Sequence, residues 1–186
     1  MMLGDPAITK ALKAKLRLPV FAGPMFIAST PELVIAQSQA GIVGSMPALN
    51  PRSTEALDEA VAQIKEAVGD LPYAINLVAH RSNPRLDADY AVLEKHKVPI
   101  IVLALAASAD LVKSVHGYGG LVFNDIITDR HARKCAEMGV DGIIAVAAGA
   151  GGHTGALSPF ALISEIREWG QGPLALSGCI APGRQV

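Results

Sequence analysis

Residues 147–155 read AAGAGGHTG, with four glycines around one histidine, His153, placed directly after the apolar run Gly142-Ile143-Ile144-Ala145-Val146. Histidine is the side chain whose unperturbed pKa lies nearest neutrality, so a positioned imidazole can take a proton from an acidic carbon. Glycine at Gly151 and Gly152 would let the backbone pass close to a flat ligand without a Cβ in the way. A hairpin turn needs one or two glycines and no histidine. A phosphate-gripping loop needs glycines that lead into a helix. A lone histidine after a strand is more often an ordinary loop residue, so what surrounds the loop decides its meaning.

Similar small or polar residues close other apolar runs: Ala22-Gly23-Pro24-Met25, Gly44-Ser45, Asn76, Asn124-Asp125 and Ser177-Gly178. By themselves they are weak signals. Gly23-Pro24 is a turn dipeptide, and Asn76 at a strand end could equally cap the next turn. The two cysteines, Cys135 and Cys179, show neither metal-ligand spacing nor a disulfide framework, so no metal site is expected.

Seven short apolar runs carry these ends, at 18–25, 40–48, 72–79, 98–105, 119–126, 141–149 and 172–180. Helical patterns separate them. Thr30-Pro31-Glu32 reads as an N-cap followed by a first-turn proline, and Ser158-Pro159 repeats the device. Ser53 opens a stretch in which Leu57, Val61, Ile64 and Val68 recur at helical spacing. Further helices are expected from Asp5-Pro6 to Leu16, Asp87 to His96, Ser108 to His116 and Thr128 to Met138. Strand–helix alternation of this kind specifies βα units and a parallel sheet.

A doubly wound sheet would place its glycine-rich phosphate loop after the first strand, and AGPM is not that fingerprint. Chemistry-bearing residues at the ends of many strands fit a TIM-type (β/α)8 barrel instead, whose site is assembled from C-terminal strand ends. Seven runs in 186 residues imply such a barrel truncated after about seven βα units, with exposed edges that favour homo-oligomerisation.

Composition narrows the functional classes. Hydrophobic residues make up 51% and aromatics 4%, which suits Val/Ile/Leu/Ala strands covered on both faces. A net charge of −1 supplies no field for nucleic acid or an anionic membrane. No run reaches the ~20 apolar residues of a membrane span, and the charged N-terminus does not read as a signal peptide. A cytoplasmic setting is the expectation.

Four motifs, in this order along the chain, carry a family resemblance: LPVFAGPM (18–25), AINL (74–77), GAGGHTG followed by LSPF (149–160) and LSG (176–178). Together they resemble the nitronate monooxygenase, or 2-nitropropane dioxygenase, family. The resemblance spans most of the chain, and the GGHTG loop is its most specific part. It implies one FMN-binding (β/α) domain over residues 1–186 that oxidises nitronates or nitroalkanes with O2, giving a carbonyl compound and nitrite.

The resemblance also implies roles for particular residues. Gly23, Pro24 and Met25 would lie against the flavin ring, and Asn76 would hydrogen-bond it. Asn124 and Asp125 would face it from the barrel mouth, and Gly151 and Gly152 would pass close to it. Ser177 and Gly178 would form part of the phosphate cradle, and His153 would be the catalytic base. Two departures stand out. Val146 occupies the place where many members have glutamine, and a Gly-Thr phosphate loop after an eighth strand has no counterpart among the 186 residues. FMN is therefore expected to bind this chain weakly or not at all. The alternatives are an NAD(P)H-dependent flavin reductase of the same fold, acting on enoyl-acyl-carrier or quinone substrates, and a catalytically inactive truncated barrel.

Overall fold

The computed structural model describes residues 3–178, 180–181 and 183–185. Helix starts follow side-chain capping. The hydroxyls of Thr30, Ser53, Ser108 and Thr128 accept from the backbone N–H groups of Leu33, Ala56, Leu111 and His131, and Asp5 accepts from Ala7. These caps open α2 (Pro31–Gln39), α3 (Thr54–Val68), α5 (Ala109–Gly117), α6 (Asp129–Glu137) and α1 (Pro6–Ala14). Two further helices, α4 (Leu86–His96) and α7 (Pro159–Arg167), start without a side-chain cap.

Between the helices run β1 (Gly44–Pro47), β2 (Tyr73–Val78), β3 (Ile100–Ala104), β4 (Leu121–Ile126), β5 (Gly142–Val146) and β6 (Leu174–Ser177). All adjacent pairs are parallel, and their order is simply β1-β2-β3-β4-β5-β6. Each strand pairs with the next one in sequence, the singly wound arrangement of a barrel wall. The described residues form a six-stranded half-barrel with helices outside.

The expectation of seven strands needs correction. The 18–25 run contributes one parallel bridge, Phe21 to Val43, in which Val43 N–H donates to Val20 O and Ala22 N–H to Val43 O, both at 2.9 Å. Pro19 and Pro24 have no N–H to extend the ladder, and among the described residues the run bridges to Val43 alone. Within the 172–180 run, Cys179 lies outside the described residues.

Strand alternation sends one set of side chains to the helices and the other to the concave side. The helix-facing set joins the large core, where Leu57, Val61, Ile64 and Val68 of α3 bury as their spacing requires. A smaller cluster of Val43, Ala74, Ile100, Val102 and Phe123 fills the concave side. Leu12, Leu16 and Phe21 pack against it, and Phe21 and Phe123 sit with ring centroids 5.0 Å apart.

Candidate active site at the strand ends

Alternation along β4 puts Leu121, Phe123 and Asp125 on the concave side, and Val122, Asn124 and Ile126 toward the helices. Asn124 is thus not a mouth residue. It is 3% exposed, its amide nitrogen donates to Asp125 O, and its Oδ1 has no partner. By the same rule Asn76, Asp125, Val146 and Ser177 face the concave side near the C-terminal ends of β2, β4, β5 and β6. Asn76 is partly engaged already, since its Nδ2 donates to Val102 O at 3.2 Å.

The loop after β5 folds back on its own strand. Ala147 N–H donates to Ser177 O, Gly155 N–H to Val146 O, and Thr154 Oγ1 to Ala147 O at 2.9 Å. Gly155 is dictated by this return, because a Cβ there would lie 2.6 Å from Val146 O and 3.1 Å from Ile127 Cβ. Gly151 and Gly152 are different. A Cβ at either would meet nothing within 4 Å, and the same holds for Gly23. At Gly152 a φ of +70° accounts for glycine, but Gly23 and Gly151 have neither a positive φ nor a close neighbour inside the chain. Their bare backbones face open space at the mouth, as a flat ligand would need.

His153 is exposed on this loop, near enough for its charge to act on Asp125. Burial pushes the Asp125 carboxyl up to about 6, while the backbone N–H of Leu105 and the charge of His153 pull it back. Leu105 holds that N–H in place from an uncommon left-handed conformation, φ +66°, just past β3.

At the β1 edge, Gly23, Pro24 and Met25 form an exposed rim. Asn50 fixes it: its Nδ2 donates to Met25 O and Ser29 O, and its Oδ1 accepts from Ile27 N–H. Asn50 does not stand out in the sequence, although Asn50-Pro51 carries a turn signal that could have pointed to it. Of the other histidines, His96 and His116 pair with Asp58 and Asp141, and His80 makes a turn with Ser82. A depression of about 330 Å³ lies on the helix side of this rim, between the starts of α2 and α3, lined by Ile27, Thr30, Met46, Asn50 and Gln63 among others. Among the described residues no cluster of three or more His, Cys, Asp or Glu could hold a metal, and no helix is long and apolar enough to cross a membrane.

A parallel half-barrel with a glycine–histidine loop after its fifth strand belongs to the class of (β/α)-barrel proteins. The chain belongs to the nitronate monooxygenase family, whose pattern it matches over residues 8–186. A curated relative, an octahydroindene-carboxyl-CoA dehydrogenase of Rhodococcus jostii (strain RHA1), is 28% identical over 89% of this chain and 46% of its own. FabK from Thermotoga maritima superposes with a TM-score of 0.83 at 26% identity, over 96% of this chain and 56% of that one. The nitroalkane oxidase from Streptomyces ansochromogenes shares the fold, with a TM-score of 0.81 at 20% identity over 95% of this chain and 63% of that one. The chain spans about half the length of the curated relative.

Proposed function

We propose that this protein oxidises alkyl nitronates and nitroalkanes with O2, yielding a carbonyl compound and nitrite, with FMN as cofactor. The observation that carries this reading is the GGHTG loop, which follows β5 with two bare glycines and one exposed histidine. Gly23 and Gly151, glycines that the chain's own packing does not require, fit a planar ring laid across the mouth. Pro24, Met25 and Gly152 would flank that ring, and the side-chain amide of Asn76 would address its polar edge. Ser177 and Gly178 would contribute to the phosphate end. FMN supplies the electron transfer to oxygen.

The chain's own task is the proton. His153 accepts it from the α-carbon of a neutral nitroalkane, the C–H electron pair passing into the nitro group, and the glycines on either side leave the ring room above the ligand. A positioned general base contributes roughly 10² to 10⁴ in rate. In the flavin-loaded protein, His153→Ala should slow neutral nitroalkanes by that order and preformed nitronates, which have already lost the proton, far less. Measuring kcat/KM on both substrate forms decides it, and an equal fall assigns His153 to binding or packing.

In a second reading a reduced nicotinamide feeds the flavin, as in an NAD(P)H-dependent flavin reductase of the same fold. Oxygen consumption with a nitronate in the absence of NAD(P)H separates the two. No consumption without the nicotinamide would displace the first reading.

A further inference from the structure

The large apolar side chains left exposed among the described residues gather mostly at one end of the fold. Met25, Phe26 and Ile27 follow the bridged segment at Phe21, and Leu105 follows β3. Leu157 and Phe160 stand where the loop after β5 enters α7. All of them lie beyond C-terminal strand ends, the side on which Gly23 and Gly151 also leave their backbones bare. Phe26 is 68% and Ile27 78% exposed, so most of each side chain meets water. Apolar groups collected beside a ligand's place mark a binding surface.

Backbone conformation singles out two of these residues. Among the described residues, Lys97, Ile27 and Leu105 are the non-glycines with positive φ. Lys97 is the left-handed cap that ends α4, an ordinary place for it. Ile27 (φ +67°) is β-branched, for which this conformation is an outlier, and Leu105 (φ +66°) ends no helix. Strain of this kind persists only where the surroundings impose it, and it collects at ligand clamps. For Ile27 the imposing group is the Asn50 amide. It accepts from Ile27 N–H at 3.0 Å and donates to Met25 O at 3.0 Å and Ser29 O at 2.7 Å. Asn50 is braced in turn, since Arg85 Nη1 donates to Pro51 O at 2.9 Å, and Arg85 and Thr54 both bind the buried Asp89. So much bracing turns three apolar side chains toward water, which brings the fold itself no burial.

The chemistry of the surrounding loops narrows the occupant. Residues 22–30, 105–108 and 147–158 contain no lysine, arginine, aspartate or glutamate, so nothing in them pairs with a charged group on a ligand. Ile27 and Asn50 also line the depression of about 330 Å³ between α2 and α3, where Met46, Ala56 and Ala60 add apolar wall. We propose that the Met25–Ile27 rim is the subsite for the hydrocarbon tail of the substrate, that Phe26 and Ile27 set a preference for longer, uncharged alkyl chains, and that Asn50 positions them. A tail crossing this rim enters the depression behind it. The inference rests on the proposed function, which supplies a nitronate at the mouth, and deepens it by naming the class of nitronate.

Two readouts test it, one of them independent of activity. In the flavin-loaded protein, kcat/KM for n-alkyl nitronates from ethyl to hexyl should rise about two- to fourfold per methylene, through KM. A carboxylate at the far end of the chain should cancel that gain. Phe26→Ser, Ile27→Ser and Asn50→Ala should each bring the factor per methylene toward one. The slope is read within each variant, so a change in its overall activity does not enter. A flat series in the unaltered protein overturns the subsite, and so does a slope that survives Phe26→Ser and Ile27→Ser, substitutions at exposed positions that the fold tolerates. The second readout is amide NMR of the 186-residue chain titrated with 1-hexanol. Saturable shifts should centre on residues 25–29 and vanish in Ile27→Ser, whereas shifts spread over the whole surface overturn the proposal. Hexanol bound at the rim of a protein that oxidises no nitronate would sink the proposed function and leave the apolar subsite. Nitronate oxidation with a flat series and an unmoved rim would do the reverse.

Discussion

On its helix-facing side the sheet buries Leu77, Leu103, Val122, Ile143 and Ala145 completely, under helices that supply matching apolar stripes. On its concave side five of the described residues form a buried cluster, and beyond Phe123 the surface gives way to Asp125, Asn76 and an open glycine loop. Both surfaces belong to the same strands, one residue apart. The contrast teaches that stability and chemistry are divided between alternate positions of a single ladder. A residue's parity, more than its place along the chain, tells which of the two it serves.

Substitutions can break that division from either side. Leu103→Ala removes a fully buried helix-facing side chain and should cost about 2 to 5 kcal/mol in denaturant unfolding at unchanged m-value. A loss under about 1 kcal/mol would mean the helix-facing layer carries less of the stability than its burial implies.

Asp125→Asn should act in the opposite direction. A carboxyl whose native pKa is raised from 3.8 to about 6 keeps its proton more firmly folded than unfolded, so stability falls as pH climbs through that window and stays lower above it. At pH 7.5 the asparagine variant should gain on the order of 1 to 3 kcal/mol, and at pH 3.5 almost nothing. A variant that is less stable at pH 7.5 would show that the charge supports the fold. The smallest expected effect is at Gly151. Alanine there meets nothing within 4 Å, so thermal stability should change by no more than about 0.5 kcal/mol, yet flavin retention should drop about tenfold or more. Unchanged retention would remove Gly151 from the ligand's path.

Much of the fold was legible because local signals agreed with global ones. Thr30, Ser53, Ser108 and Thr128 are polar caps set just before apolar periodicity, and each opens a helix where the sequence places it. The 18–25 run misled because its apolar composition outweighed Pro19 and Pro24, and because composition does not count pairing partners. The loop around His153 was legible from its glycines, and its exposed position after β5 is where the sequence puts it. Asn124 and Asp125 were read together, yet the pleat separates them, and assigning the face required knowing which neighbours were buried. Asn50 escaped notice because its role depends on a rim 25 residues away in the chain.

The uninterrupted strand order also bears on how the polypeptide reaches this shape. Every sheet contact joins segments that leave the ribosome one after another, so each new strand finds its docking edge already made and exposed by its predecessor. Short-range pairing of this sort lowers the entropy lost in closing each loop, and it lets assembly advance from the N-terminus as synthesis proceeds. Growth of the wall then resembles extension of a filament by one unit at a time, with the most recent strand always serving as the template for the next.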